Sequence, residues 1–86
     1  MASPDIQTLP ADTWTKIATG VTVGQIRILD STPNAYFWNY RATGEAAPAT
    51  LEGAGRISDT ENIDSTTSND IYVYPLGGAG KIALDL

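Results

Sequence analysis

Apolar residues in this chain follow the two-residue period of a β-strand and nowhere recur at the spacing of an amphipathic helix. The clearest example is the C-terminal run Lys81–Leu86, where Ile82, Leu84 and Leu86 occupy every second position. A period of two places these side chains on one face, so the pattern predicts a half-buried strand. No window of ten or more residues offers a helix an apolar face to bury. The sequence therefore predicts an all-β fold.

The length of the chain and its lack of cysteine limit how such a fold can be stabilised. The chain has 86 residues, which allows one domain with a modest core. Cysteine and histidine are both absent, so disulfides and the commonest structural zinc sites are excluded. Domains of this size often depend on a disulfide, a metal or a partner subunit, and only the partner remains. We therefore expect a homo-oligomer.

The charge balance restricts the classes of partner. Five Lys and Arg residues against ten Asp and Glu residues give a net charge of -5, which repels a phosphate backbone. We therefore expect no nucleic-acid partner. The segment Met1–Asp5 lacks the basic start of a secretory signal, and no apolar run approaches membrane-spanning length. We expect no membrane partner either.

The first twelve residues differ in composition from the rest. Met1–Asp12 contains two prolines and only scattered apolar side chains, which disfavours both a helix and a paired central strand. The sequence predicts an extended N-terminal arm over residues 1–12 and a single β domain over residues 13–86. Because the arm has too few apolar residues to join its own core, we expect Ile6 and Leu9 to contact a neighbouring subunit.

Three β-prone runs follow the arm. Thr13–Ala18 is rich in β-branched and aromatic residues and predicts a first strand, and Val21–Leu29 predicts a second. The apolar phase changes within this second run, so we expect a bulge or bend at Gly24. Asp30–Asn34 consists of turn formers and predicts a hairpin loop that leads into a third strand, Ala35–Arg41.

The second half of the chain is less regular. Small residues and glycines from 44 to 55 predict a loop, and Arg56–Ser58 predicts a brief edge strand. Asp59–Asp70 is polar and acidic, as expected of a solvated loop. Ile71–Leu76 and Lys81–Leu86 flank a glycine-rich turn and predict a hairpin. The expected architecture is a small β-sandwich or barrel-like domain of five to seven short strands.

The aromatic residues concentrate on the third predicted strand. Tyr36, Trp38 and Tyr40 share one of its faces. Such side chains contribute strongly to cores and interfaces, and a row of them can also form a stacking platform for a sugar. The face is therefore interpreted in three ways: core, subunit interface or carbohydrate platform. These three residues, with Ile6 and Leu9, are the candidate interface residues.

The sequence offers no recognisable catalytic or metal-binding constellation. Triads that need histidine or cysteine are excluded. The carboxylates from Asp59 to Asp70 do not have the spacing of a calcium loop, since Ile63 and Asp64 hold the fifth and sixth positions, where that motif needs a ligand and a glycine. We expect no enzyme activity, no catalytic residues, no metal site and no cofactor.

Taken as a whole, the sequence resembles those of the small all-β virion proteins of tailed bacteriophages. The similar pattern begins with the arm and Trp14–Ile17, and it continues through Val23–Ile26 and the aromatic strand into Ala46–Pro48, Gly53 and Ile57. It closes with Ile71–Tyr74, a glycine-rich turn and Lys81–Asp85. The likeness extends from Trp14 to Leu86 and is one of strands and turns, without a diagnostic motif.

The resemblance implies a structural role in a virion that is assembled in the host cytoplasm. It is similar above all to capsid decoration or cement proteins, which bind and stabilise a protein shell, and this implies the major capsid protein or another virion protein as the partner. It also implies a homo-oligomer, possibly a trimer. The alternative is a tail- or fibre-associated module that binds a receptor or a carbohydrate through the aromatic strand.

Overall fold

The computed structural model describes residues 5–86, which form a curled half-barrel sheet of six antiparallel strands with no helix among them. The all-β prediction is confirmed. The strands are β1 (Asp5–Leu9), β2 (Thr15–Ile28), β3 (Ala35–Ala42), β4 (Gly55–Ile57), β5 (Thr60–Leu76) and β6 (Gly80–Asp85). Their order across the sheet is β1-β6-β2-β5-β3-β4, so β1 and β4 form the two edges.

The first two predicted strands are one continuous strand, β2. Gly20 lies inside it with φ +66, a conformation that favours glycine, so the chain bends there without ending the strand. The first half of β2 pairs with β5, and the second half pairs with β5 on one side and β6 on the other. A glycine between two β-prone runs therefore marks a bend here, where the sequence predicted a break.

The irregularity expected at Gly24 lies slightly earlier in the strand. Between the pairs Val21–Asn69 and Val23–Asp64, β2 advances by two residues while β5 advances by five. Gly24 itself pairs regularly with Ile63. The prediction of a bulge at Gly24 is therefore wrong. Glycine at this position lets β6 lie close to β2, because an added Cβ would be 3.0 Å from the backbone oxygen of Asp85.

Both predicted hairpins are wrong, although the strands on either side of their turns are present. β5 lies between β2 and β3, and β2 lies between β5 and β6. Each connection therefore passes over one intervening strand. Turn-forming residues show where the chain reverses, but the neighbour of each strand is decided by long-range pairing of backbone and apolar faces.

The acidic segment Asp59–Asp70 is not a loop. From Thr60 onward it forms the first part of β5, and residues 60–64 pair with residues 23–27 of β2. Ile63 is buried on the inner face, while the polar residues beside it are mostly exposed. The burial of Ile63, Asn69 and Asp70, with the backbone partners that β2 supplies at both ends of the segment, orders a stretch that looks solvated by composition.

The predicted arm is corrected over the residues that the structure describes. Asp5–Leu9 is extended, but it pairs with β6 as an edge strand of the sheet, and Leu9 is 1% exposed in the core. The Gln7 side chain also donates to the backbone carbonyl of Ile17 at 2.9 Å. One apolar residue suffices because β6 supplies the backbone partners. Residues 1–4 of the predicted arm lie outside the described residues.

The inner face of the half-barrel holds the core. It consists of aliphatic side chains from five strands together with Tyr36 of β3: Leu9, Ile17, Val21, Ile26, Tyr36, Ile57, Ile63, Ile71, Val73, Ile82 and Leu84. Ala18, Ile28 and Trp38 pack against this cluster and are partly buried. The core therefore forms where the curled sheet folds over itself, without a second layer.

Tyr36 connects strands that are not neighbours. Its hydroxyl donates to the carbonyl of Asp30 at 2.6 Å and accepts from the backbone N–H of Lys81 at 3.0 Å. The ring lies so close to Gly80 that an added Cβ there would be 2.5 Å from the hydroxyl oxygen. The burial that encloses this ring also raises the pKa of its hydroxyl. Tyr36 is thus a fixed tie between β3, the loop before it and β6.

We predict that Tyr36→Phe lowers the free energy of unfolding by about 1–3 kcal/mol, because a backbone carbonyl and a backbone N–H lose their partner in part-buried surroundings. Urea denaturation measures the difference. Tyr40→Phe is the matched control, since Tyr40 is 54% exposed and its hydroxyl can bond to water. Equal unfolding free energies for the two variants would contradict the assignment of Tyr36 as a tie.

Candidate functional site

A small pocket opens on the inner face at the end of β3. Its volume is about 90 Å³. Trp38 and Tyr40 of β3 form one wall, Asp64, Ser65 and Asn69 of β5 form the other, and Ile63 and Ile71 complete the lining. The pocket therefore combines an aromatic side with an oxygen-bearing side, which is the composition of many small-molecule sites.

The aromatic wall is a tilted pair of rings. The ring centroids of Trp38 and Tyr40 are 6.1 Å apart, with an angle of 37° between the ring planes. The Trp38 indole lies against the backbone of β4, where a Cβ on Gly55 would be 2.7 Å from its Nε1 atom. Glycine at position 55 therefore lets the indole lie close to the edge strand, while Tyr40 remains 54% exposed.

The polar wall is formed by the irregular part of β5. Residues 65–68 lie between the two register pairs that this strand makes with Val21 and Val23, and we call them the β5 insertion. The Asn69 amide nitrogen donates to the hydroxyl of Ser65 and to the carbonyl of Thr67, both at 3.0 Å. Asn69 is only 6% exposed, so these bonds fix a buried amide at the pocket wall.

Asp70 follows Asn69 and is 1% exposed. Its carboxylate accepts from the backbone N–H of Gly20 at 3.1 Å and lies 3.4 Å from the ammonium of Lys16. Burial alone would raise the pKa of Asp70. The backbone amides of Gly20 and Gly44 and the charge of Lys16 outweigh it, so the pKa is lowered. Asp70 thus holds β5 against the bend of β2 and the loop after β3.

The five residues predicted as an interface divide into two groups. Leu9 and Tyr36 are buried in the core of their own chain, so these two are corrected: neither is exposed to a partner. Ile6 and Tyr40 are exposed, and Trp38 is half-buried beside the pocket. Tyr36, Trp38 and Tyr40 do share a face, but that face runs from the interior of the half-barrel to its mouth.

Sequence reasoning missed the polar wall of the pocket because it placed these residues in a loop. One signal was available: continuing the period of two backwards from Val73 and Ile71 places Asn69 on the same face. The same period reaches Ser65, but Asp64 falls on the opposite phase, so nothing in the sequence indicates that Asp64 joins them. The position of Asp64 depends on the β5 insertion, which changes the register between β5 and β2.

A second, wider depression lies between the loop at 31–34 and β4. Its volume is about 330 Å³, and Arg56 is the charged residue on its wall. Tyr36 is its sole aromatic residue, and the Tyr36 hydroxyl is already hydrogen-bonded within the fold. The first pocket therefore has the better combination of aromatic and polar groups.

Within residues 5–86, no three His, Cys, Asp or Glu side chains cluster closely enough to hold a metal ion. The same residues contain no helix that is long and apolar enough to cross a membrane.

We predict that the free energy of unfolding falls in acid, in part through Asp70. Because its folded pKa lies below the unfolded value of about 3.9, its contribution is complete above that value and is lost as the pH falls through the folded pKa. Urea denaturation between about pH 7 and about pH 2 measures the profile.

Asp70→Asn is expected to flatten this profile, whereas Asp59→Asn, at an exposed position, is expected to leave it unchanged. A residual slope in Asp70→Asn is attributed to Asp30, whose pKa is lowered by hydrogen bonds from the hydroxyl and backbone N–H of Thr32. Identical profiles for Asp70→Asn and the wild type would show that Asp70 is not responsible.

Comparisons with protein-family models, with curated proteins and with solved structures found no match to the chain. A function for this protein is therefore inferred from its own residues and their geometry.

Proposed function

We propose that the chain is a non-enzymatic bacteriophage virion structural protein, a capsid decoration or cement protein that binds the shell as an oligomer. The observation that carries this proposal is the distribution of exposed apolar side chains. Among residues 5–86 five large apolar side chains are exposed, and four of them belong to the β1-β6-β2 half of the sheet order: Ile6, Val23, Leu29 and Leu86. They lie on β1 and β2 or directly after β2 and β6.

The same half of the sheet ends in an open edge. Among residues 5–86, β1 pairs with β6 and with no second strand of the sheet, so one row of its backbone N–H and C=O groups is free to accept another strand. Its sequence, Asp-Ile-Gln-Thr-Leu, contains none of the lysine or proline that commonly protects edge strands. Strand addition at such an edge is an established mode of protein recognition.

The chemistry of the chain supports binding over catalysis. The chain lacks histidine and cysteine, and its buried carboxylate, Asp70, is engaged by Lys16 and Gly20. A core made by one curled sheet is small, and an oligomer or a shell would add the apolar burial that the single chain lacks.

The partner in this proposal is the major capsid protein or another virion protein, and the oligomer is a trimer. The resemblance to the small virion proteins of tailed bacteriophages supports this assignment, with the virion as the site of action after assembly in the host cytoplasm. Ile6 is the first contact residue to test because it lies on β1 itself and is 62% exposed.

We predict that Ile6→Lys abolishes self-association and lowers capsid retention at least tenfold, because a charge replaces an apolar contact at the edge. Light scattering at about micromolar concentration gives the mass, and co-sedimentation with capsids of the parent virus gives the retention. Thr66→Lys adds the same charge at an exposed position of the β5 insertion and is expected to behave as the wild type.

Circular dichroism checks that both variants keep the β fold. The proposal is wrong if the wild-type protein is a monodisperse monomer and Ile6→Lys sediments with capsids as the wild type does.

A further inference from the structure

The pocket at the mouth of the half-barrel has the features of a ligand site that the proposed shell-binding role does not use. Its aromatic wall lies on β3 and its polar wall on β5, and in the sheet order β6 and β2 stand between these strands and β1, which carries Ile6. The aromatic pair is held by close contact between Trp38 and the backbone of Gly55. The site is therefore separate from the open edge at β1, although Val23 in the β1-β6-β2 half pairs with Asp64 of the polar wall.

The backbone irregularity that forms the polar wall removes backbone pairing between β5 and β2. A sheet does not need such an irregularity in order to form. The β5 insertion leaves three extra residues of β5 without register partners on β2. Bulges of this kind redirect side chains and are over-represented beside functional sites. Here the insertion separates Asp64 from Asn69 along the chain and brings both to one pocket.

The polar wall offers acceptors. Both N–H groups of the Asn69 amide are used inside β5, so the amide oxygen is the atom left for a ligand. Asp64 adds a carboxylate, which is exposed and acceptor-only when ionised. A ligand for this wall must therefore donate hydrogen bonds, as the hydroxyl groups of a sugar do.

The aromatic wall requires a flat apolar surface on the ligand. An aromatic face packs well against a flat apolar surface, and the C–H face of a pyranose ring is such a surface. The volume of about 90 Å³ is well below the roughly 300–1,000 Å³ of a drug-sized site, so the pocket suits one ring. Asp64 and the net charge of -5 disfavour acidic sugars.

We propose that Trp38, Tyr40, Asp64 and Asn69 bind one neutral pyranose unit of a glycan. The ring stacks on Trp38 and Tyr40, and its hydroxyl groups donate to the Asp64 carboxylate and the Asn69 amide oxygen. This inference does not rest on the proposed shell-binding role, and either can fail without the other.

The test uses the full chain labelled with ¹⁵N and its two tryptophan indole N–H signals. Methyl glucoside, methyl galactoside and N-acetylglucosamine are titrated to roughly tens of millimolar, a range suited to weak single-sugar affinity. Trp14 is the internal control, because its ring packs edge-to-face on Tyr74 and does not line the pocket. At least one sugar is expected to shift the Trp38 signal to saturation while the Trp14 signal stays unchanged.

Matched variants identify the walls. Tyr40→Ala and Asp64→Asn are each expected to weaken binding about tenfold, whereas Leu29→Ala and Asp59→Asn, at exposed positions outside the pocket, are expected to bind as the wild type. The inference is overturned if no neutral sugar shifts Trp38, or if Tyr40→Ala titrates like the wild type. It is equally overturned if glucuronic acid or tetramethylammonium binds and the neutral sugars do not.

Discussion

The hydroxyl group of Tyr36 joins two strands that only a curled sheet can bring together. In the sheet order, β3 and β6 are separated by β2 and β5, so a flat sheet would place them about 14 Å apart at strand spacings of about 4.8 Å. A tyrosine side chain is too short for that distance. Its bonds to Asp30 and Lys81 can form only when the sheet bends over its own inner face, and Gly80 makes room for the ring. The enclosed core, the open end of the half-barrel and the pocket at that end all exist because the sheet bends.

The local structure of the chain could be predicted from sequence better than its topology. The third and last strands were predicted almost to the residue, because aromatic and alternating apolar residues act locally. The segment at 60–70 was mistaken for a loop because its order depends on pairing with β2, some forty residues earlier in the chain. The two hairpin predictions failed for the same reason, because a turn sequence does not specify which strand will be the neighbour of a given strand in the sheet.

The candidate site shows the same division. Trp38 and Tyr40 were identified from their common face, and Asn69 lies near them through the regular pairing of β5 with β3, whereas Asp64 meets them only because the β5 insertion changes the register. Leu9 and Tyr36 were assigned to an interface and belong to the core, since composition counts apolar residues without showing which of them the curled sheet encloses. A small half-barrel has room inside for some of its aromatic residues and leaves the others at its rim.

The crossed connections have a consequence for the order in which this protein can form. Both β2 and β3 pair with β5, so neither strand can complete its backbone pairing before β5 has been synthesised. Thr15 pairs with Val73, and Tyr40 pairs with Ile71. During synthesis the first half of the chain has no complete sheet to join until residues near position 76 have emerged. Folds dominated by such distant pairs close slowly, over roughly milliseconds to seconds. The nascent chain therefore presents its aromatic strand to the cell before it can cover it, and a partner or a chaperone has that interval in which to act.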